Sequence, residues 1–210
     1  MRVLVVRGEG SSFSAGLDRQ MFTPEGIEGI PSVSELAGFG HDEASAEIAG
    51  YQHGIGVFAR PGLVSVALVQ GHAVGAGFQL SLACDVRFAA EDAQFTMAEV
   101  SLGLVPDLGG TKRLLELVGY SRAAEICLTA RRVDAAEALR IGLVSAVVPA
   151  DQLAGAGERF VSRILEQPAA AVAETKALLL AAANRPQAEQ ERAEREAQHR
   201  QLRTLAGLAE

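Results

Sequence analysis

Two short runs of branched apolar residues constrain the fold of this chain more than any other feature. Val3-Leu4-Val5-Val6 and Leu63-Val64-Ser65-Val66-Ala67-Leu68-Val69 are continuous rather than alternating, and each leads to a glycine, Gly8 or Gly71. A strand with one wet face alternates, so a run without alternation predicts a strand covered on both faces, as in a parallel sheet flanked by helices. Val86-Arg87-Phe88-Ala89 and residues 143–148, closed by Pro149, are two further strand candidates. Helical patterns lie between these runs, so the expected class is α/β. At 210 residues the chain suits one globular domain with room for a small appendage.

Charge and composition narrow the function. Nineteen Lys and Arg against 26 Asp and Glu give a net charge of −7, so no nucleic acid is expected as a partner. No apolar run approaches ~18 residues, and the first residues reach Gly8 too early for a signal sequence, so the expectation is a cytoplasmic protein with no membrane partner. Cys84 and Cys127 form no CxxC pair, and His41, His53, His72 and His199 show neither helical metal-ligand spacing nor a Ser/Asp constellation. No disulfide framework, metal site or serine triad is expected.

Residues 21–60 hold Gly26, Gly29, Pro31, Gly38 and Gly40, which break any period before an amphipathic helix predicted over 43–58. A mobile surface stretch is expected there. Farther on, Asp134-x-x-Glu137 is a capping-box pattern opening a helix over residues 135–140, stopped by Gly142. Helices over 152–166, 169–184 and 187–205 follow, separated by Pro168 and Pro186. The last is charged nearly all round, with Glu191/Arg195 and Glu196/Arg200 at i,i+4, and reads as a solvated helix.

Two loops carry the chemistry. Ser11-Ser12-Phe13-Ser14-Ala15-Gly16-Leu17-Asp18 and Gly71-His72-Ala73-Val74-Gly75-Ala76-Gly77-Phe78-Gln79 each run from a strand toward a helix start. At such junctions the first N–H groups lack acceptors and favour an oxyanion. The small residues Ala15, Gly16, Gly75, Ala76 and Gly77 let a ligand oxygen reach the backbone. Either loop alone is equally a plain tight turn. A dinucleotide fingerprint fails at Leu80, where its third glycine belongs, and no Gly-Lys-[Ser/Thr] exists for a P-loop.

Phe13-Ser14-Ala15-Gly16-Leu17-Asp18, the second loop, Ala83-Cys84-Asp85, Ala93-Gln94-Phe95 with Glu99, Leu102-Gly103-Leu104-Val105-Pro106-Asp107-x-Gly109-Gly110 and Ala138-x-x-x-Gly142-Leu143-Val144 occur in the order and spacing of one family. Over residues 2–185 the chain resembles the enoyl-CoA hydratase/isomerase (crotonase) superfamily. The resemblance implies a crotonase-type spiral of ββα units over residues 1–148 and a C-terminal helical oligomerisation region over 149–210, giving a homotrimer or hexamer. It implies an acyl-CoA thioester as substrate and no cofactor other than the coenzyme A that the substrate carries. Its oxyanion donors map to the N–H groups of Leu17 and Ala76, with Ala15, Gly75 and Asp18 beside them. Such a donor contributes about 3–4 kcal/mol to lowering a barrier.

A hydratase of this family resembles a machine with two carboxylates. Here one position holds Glu99 and the other Gln79, whose amide takes no proton at neutral pH. A double-bond shift needs one carboxylate only, so isomerisation by Glu99 is favoured. The alternatives are a hydratase in which Gln79 positions water, and a catalytically weak acyl-CoA-binding protein. Asp107 stands where some isomerases of the superfamily resemble having an acid; it equally suits a turn or the cap of a helix starting near Gly110. Asp18 suits a helix cap and Asp85 a structural role. Arg19, Lys112, Arg113 and Lys176 are the candidate cations for the coenzyme A phosphates. The family's opening strand pair and its closing motifs are not found, which is expected of a trimmed chain or of a shortened variant whose sheet edge a neighbouring subunit covers.

Overall fold

The computed structural model describes residues 2–208. Its first sheet is four-stranded in the order β1 (Val3–Arg7), β2 (Val64–Val69), β4 (Val86–Ala90), β7 (Ala146–Val148), with every neighbouring pair parallel. The second runs β3 (His72–Val74), β5 (Gln94–Thr96), β6 (Arg132–Asp134), the first pair parallel and the second antiparallel. The chain leaves β2 for β3 across Gln70-Gly71, forms helix α3 (Ala76–Ala83), returns as β4, and turns into β5. Strand, strand and helix therefore repeat as a spiral, the architecture that the resemblance implied.

All six residues of β2 are buried because the strand is central. Ala67 and Val69 face the large core with Phe78, Phe95 and Leu114, whereas Val66 and Leu68 face a smaller one with Leu153 and Phe160 of α7 (Leu153–Leu165). The run at β1 did not mean the same thing. β1 pairs only with β2 among the described residues and Val5 is 40% exposed, so it is an edge strand rather than one covered on both faces. The run over 143–148 contributes only its last three residues to a strand.

The stretch expected to be irregular holds α1 (Val33–Gly38), opened by a reciprocal box in which Glu35 N–H donates to Ser32 Oγ and Ser32 N–H to Glu35 Oε2. Helix α2 (His41–Gly56) follows, with no buried residue. α4 (Gly110–Val118) packs against α3, and α5 (Tyr120–Thr129) against α4 and the 3-10 turn Glu99–Leu102. α6 (Ala135–Arg140) starts where expected, with Asp134 Oδ1 accepting from Glu137 N–H at 2.7 Å. Only that arm of the box forms, because the Glu137 carboxylate is held by Arg131. After α7 come α8 (Ala169–Ala182) and α9 (Gln187–Leu205), an antiparallel pair turning at Pro186. Arg200 pairs with Glu174 of α8 rather than with Glu196, which joins Arg192. No helix among the described residues is long and apolar enough to cross a membrane.

Two buried cations hold the layers together. Arg87 is 4% exposed and donates to the carbonyls of Ser81, Cys84 and Leu143, satisfying the C-terminal end of α3. Burial pulls its guanidinium down to about 10. Lys176 of α8 is 7% exposed and bonded to Asp85 Oδ2 at 2.7 Å and to the carbonyls of Phe58 and Leu63, while the same Asp85 oxygen accepts from Ser65 N–H and Oγ–H. Asp85 is structural, as expected.

Replacing Arg87 with Met removes the guanidinium donors from the buried carbonyls of Cys84 and Leu143, each loss being ~1–3 kcal/mol, while Ser81 O keeps the Cys84 N–H. Arg87→Met is expected to destabilise the fold by about 3 kcal/mol or more, lowering the melting temperature by roughly 6–12 °C in a thermal scan.

Candidate active site

The two glycine-containing loops meet through backbone pairing. Ser14 N–H donates to His72 O at 2.9 Å and Val74 N–H to Ser14 O at 3.0 Å, a parallel bridge that adds the first loop to the free side of β3. At this joint Gly16 has φ +96°, and a Cβ there would stand 2.8 Å from Val74 O and 3.8 Å from Ala76 N. Gly77 lies so close to Ser14 that a Cβ would come within 2.5 Å of its side chain. The loops can approach this closely only because both positions lack side chains.

The two amides differ in what surrounds them. Ala76 is the first residue of α3, so its N–H lacks an intrahelical acceptor and the dipole of an eight-residue helix lies behind it. Leu17 precedes only a short 3-10 turn, Arg19–Phe22, which Asp18 caps through its side chain to Gln20 N–H. The expected helix dipole behind the first loop is therefore missing; the turn at Gly16 sets the Leu17 amide instead. Among the described residues neither amide donates a hydrogen bond. Ala15 is exposed beside them.

The carboxylate arrives on the second sheet. Gly75 N–H donates to Thr96 O, the end of β5, and three residues later Glu99 opens a 3-10 turn. Its Oε1 would be 3.4 Å from a Cβ on Gly75, the residue just before the Ala76 amide. Glu99 is 9% exposed; Oε1 accepts from Gln79 Nε2 at 2.7 Å, and Oε2 is buried without a partner. Gln79 is 1% exposed, and its Oε1 accepts from Leu108 N–H and Gly110 N–H. Its carbonyl oxygen is thus fully engaged. Cys127 of α5 also feels this site: burial, and secondarily the Glu99 charge, push its thiol up. Cys84, a buried thiol, is pushed up to about 12 chiefly by burial.

A family model described as enoyl-CoA hydratase/isomerase matches residues 1–206. The chain belongs to this family. It is 34% identical over 168 residues to a Mycobacterium bovis protein named probable enoyl-CoA hydratase, covering 80% of this chain and 59% of that one. It is 34% identical over 151 residues to the peroxisomal Δ(3,5)-Δ(2,4)-dienoyl-CoA isomerase of Arabidopsis thaliana, covering 69% and 51%. A Thermobifida fusca protein assigned as an enoyl-CoA hydratase and crystallised with CoA superposes with a TM-score of 0.92 at 46% identity, covering 98% of this chain and 78% of that one. The chain thus spans about 59% of the length of the first of these relatives.

Against the family pattern, three sequence expectations change. Asp107 does not cap α4, whose N-cap is Gly109 without a side-chain bond. Its carbonyl instead accepts from Gln52 Nε2 of α2 at 2.6 Å, and its carboxyl is half-buried near Tyr51. Lys176 is no free cation, being locked on Asp85. Lys112 pairs with Glu116, and Arg113 lies 3.9 Å from the same carboxylate. Arg19 alone of the four candidate cations is without an ion pair among the described residues and follows the first loop directly. Gln52 was not visible as a site residue, since nothing in the sequence ties it to a partner 55 positions away.

Burial raises the Asp107 carboxyl above its ordinary value. The folded state then holds this proton more tightly than the unfolded one, so stability falls as pH rises through the interval between the two values. Asp107→Asn is expected to raise the melting temperature at about pH 7 and to give no such gain at about pH 3, read by thermal melts at both.

Proposed function

We propose that the protein is an acyl-CoA isomerase that moves a double bond by a proton shift at Glu99. The N–H groups of Leu17 and Ala76 bind the thioester oxygen. Glu99 Oε2 takes a proton from C2 of a 3-enoyl thioester, and the C2–H electron pair moves toward the carbonyl, leaving a dienolate whose oxygen charge the two amides hold. Collapse of that charge forms the C2–C3 double bond, and C4 takes the proton back from Oε2. No net proton, electron pair or water is consumed. The step as proposed calls for no cofactor beyond the coenzyme A of the substrate.

One observation carries this reading: Glu99 lies against Gly75, next to the Ala76 amide, with one carboxylate oxygen free of any partner. A pair of main-chain amides opposite developing charge is effective because they are already oriented when the charge appears. The same site supports proton transfer over hydration. Gln79 has its oxygen engaged by two main-chain N–H groups and one N–H by Glu99, so it is ill placed to orient a water and carries no proton to give. Leu179 on α8 and Leu205 on α9 are 71% and 84% exposed, which supports a homo-oligomer built through residues 149–210.

Incubation with trans-3-enoyl-CoA and with trans-2-enoyl-CoA tests the proposal. Interconversion without a change in mass is the expected result; appearance of the 3-hydroxy product marks a hydratase, and binding without turnover marks an acyl-CoA-binding protein. Glu99→Gln is expected to lower kcat by at least about 100-fold, the lower end for loss of a general base, with affinity for the CoA ester near wild type. Retained turnover in that variant would remove Glu99 as the base.

A further inference from the structure

An uninterrupted file of hydrogen bonds runs from the surface of α2 to the Glu99 carboxylate. Gln52 Nε2 donates to Asp107 O at 2.6 Å. The other end of that same peptide group, Leu108 N–H, donates to Gln79 Oε1 at 2.9 Å, joined there by Gly110 N–H at 3.2 Å. Gln79 Nε2 then donates to Glu99 Oε1 at 2.7 Å. Every donor points the same way, toward the carboxylate, so each bond polarises the next and the negative end is reinforced. The orientation of the Gln79 amide is fixed by its partners, because the reverse would set its NH2 against two main-chain N–H groups.

We propose that Gln79 is the positioning residue of this site: it holds Glu99 by Oε1 so that Oε2 alone moves the proton, and Gln52 sets Gln79 through the Asp107–Leu108 peptide. This rests on the assignment of Glu99 as the base. Its chemical consequence is specific. A carboxylate with one oxygen bonded and the other buried leaves a captured proton few paths to water. The proton that leaves C2 is therefore the one delivered to C4. Gln79 serves this role better than an acid would. Two carboxylates at 2.7 Å do not both ionise, so an acid at position 79 would compete with Glu99 for the proton being moved. A neutral amide in the same place donates to Glu99 and keeps the shuttle to a single atom.

The test uses trans-3-hexenoyl-CoA in H2O and in D2O. Gln79→Met, which fills the space without donating, is expected to lower kcat by about 100-fold with KM little changed, as for a catalytic group displaced by an ångström. Deuterium uptake per turnover, low in the wild type, is expected to rise in the same variant because Oε1, no longer bonded to residue 79, becomes a second resting place for the proton and the carboxylate is free to turn. Gln52→Leu is expected to lower kcat by less and to raise uptake in the same direction. Gln79→Glu keeps the shape and guards against misfolding of the Met variant. While protonated, the introduced carboxyl reproduces both the donor and the acceptor of the amide but competes with Glu99 for the proton, so this variant should keep reduced turnover at acid and neutral pH and lose it at alkaline pH, a limb absent from the wild type.

Wild-type kcat and deuterium uptake in Gln79→Met, or a Gln79→Glu profile that superposes on the wild type, would overturn the proposal. A Gln52→Leu variant identical to wild type removes Gln52 from it. Failure of the underlying reading has a different signature, namely turnover that survives in Glu99→Gln.

Discussion

The bridge between Ser14 and β3 is the contact on which the rest of the site depends. It joins two loops separated by nearly sixty residues through two main-chain hydrogen bonds, and it admits no adjustment, since Gly16 and Gly77 lie against backbone and side-chain atoms of the opposite loop. Main-chain donors have no rotamers. Once the bridge forms, the Leu17 and Ala76 amides sit on main chain that is held by the same geometry that pairs strands. A pair of side-chain donors would have to be ordered anew each time, at the expense of rotamer entropy.

The second sheet brings the remaining group to these donors. β5 runs parallel to β3, so the chain leaving its end at Thr96 passes directly beside Gly75, and the next turn delivers Glu99. A buried carboxylate is costly to hold unless its oxygens find donors. Here one oxygen has a donor and one does not. The unpartnered oxygen is the feature on which the assignment of Glu99 as the proposed base rests.

Legibility in the sequence followed the range of each interaction. The central strands β2 and β4, the caps at Asp18 and Asp134, and the helix breaks at Pro168 and Pro186 depend on neighbours within a few positions, and they stood where the residues placed them. β3, β5 and β6 have three residues each, too few for alternation to register, so the second sheet had no periodic signal of its own. β1 carried the right residues but not its neighbours, and only strand order reveals an edge. Lys176 looked like a free cation because a sequence does not show that Asp85 will face it. Glu99 and Gln79 were legible as types of residue; that the amide would grip the carboxylate, and Gln52 the loop beneath, depends on contacts 20 and 55 positions apart.

The Lys176–Asp85 pair has a consequence in time as well as in space. Its partners are separated by 91 residues. At ribosomal speeds of about 5–20 residues per second, the ammonium emerges roughly 5 to 18 s after the carboxylate it neutralises. Throughout that interval β2 and β4 can pair while Asp85 waits among Ser65 and the carbonyls of Phe58 and Leu63 without its cation. Docking of α8 therefore closes this seam only after the strands it covers have been made.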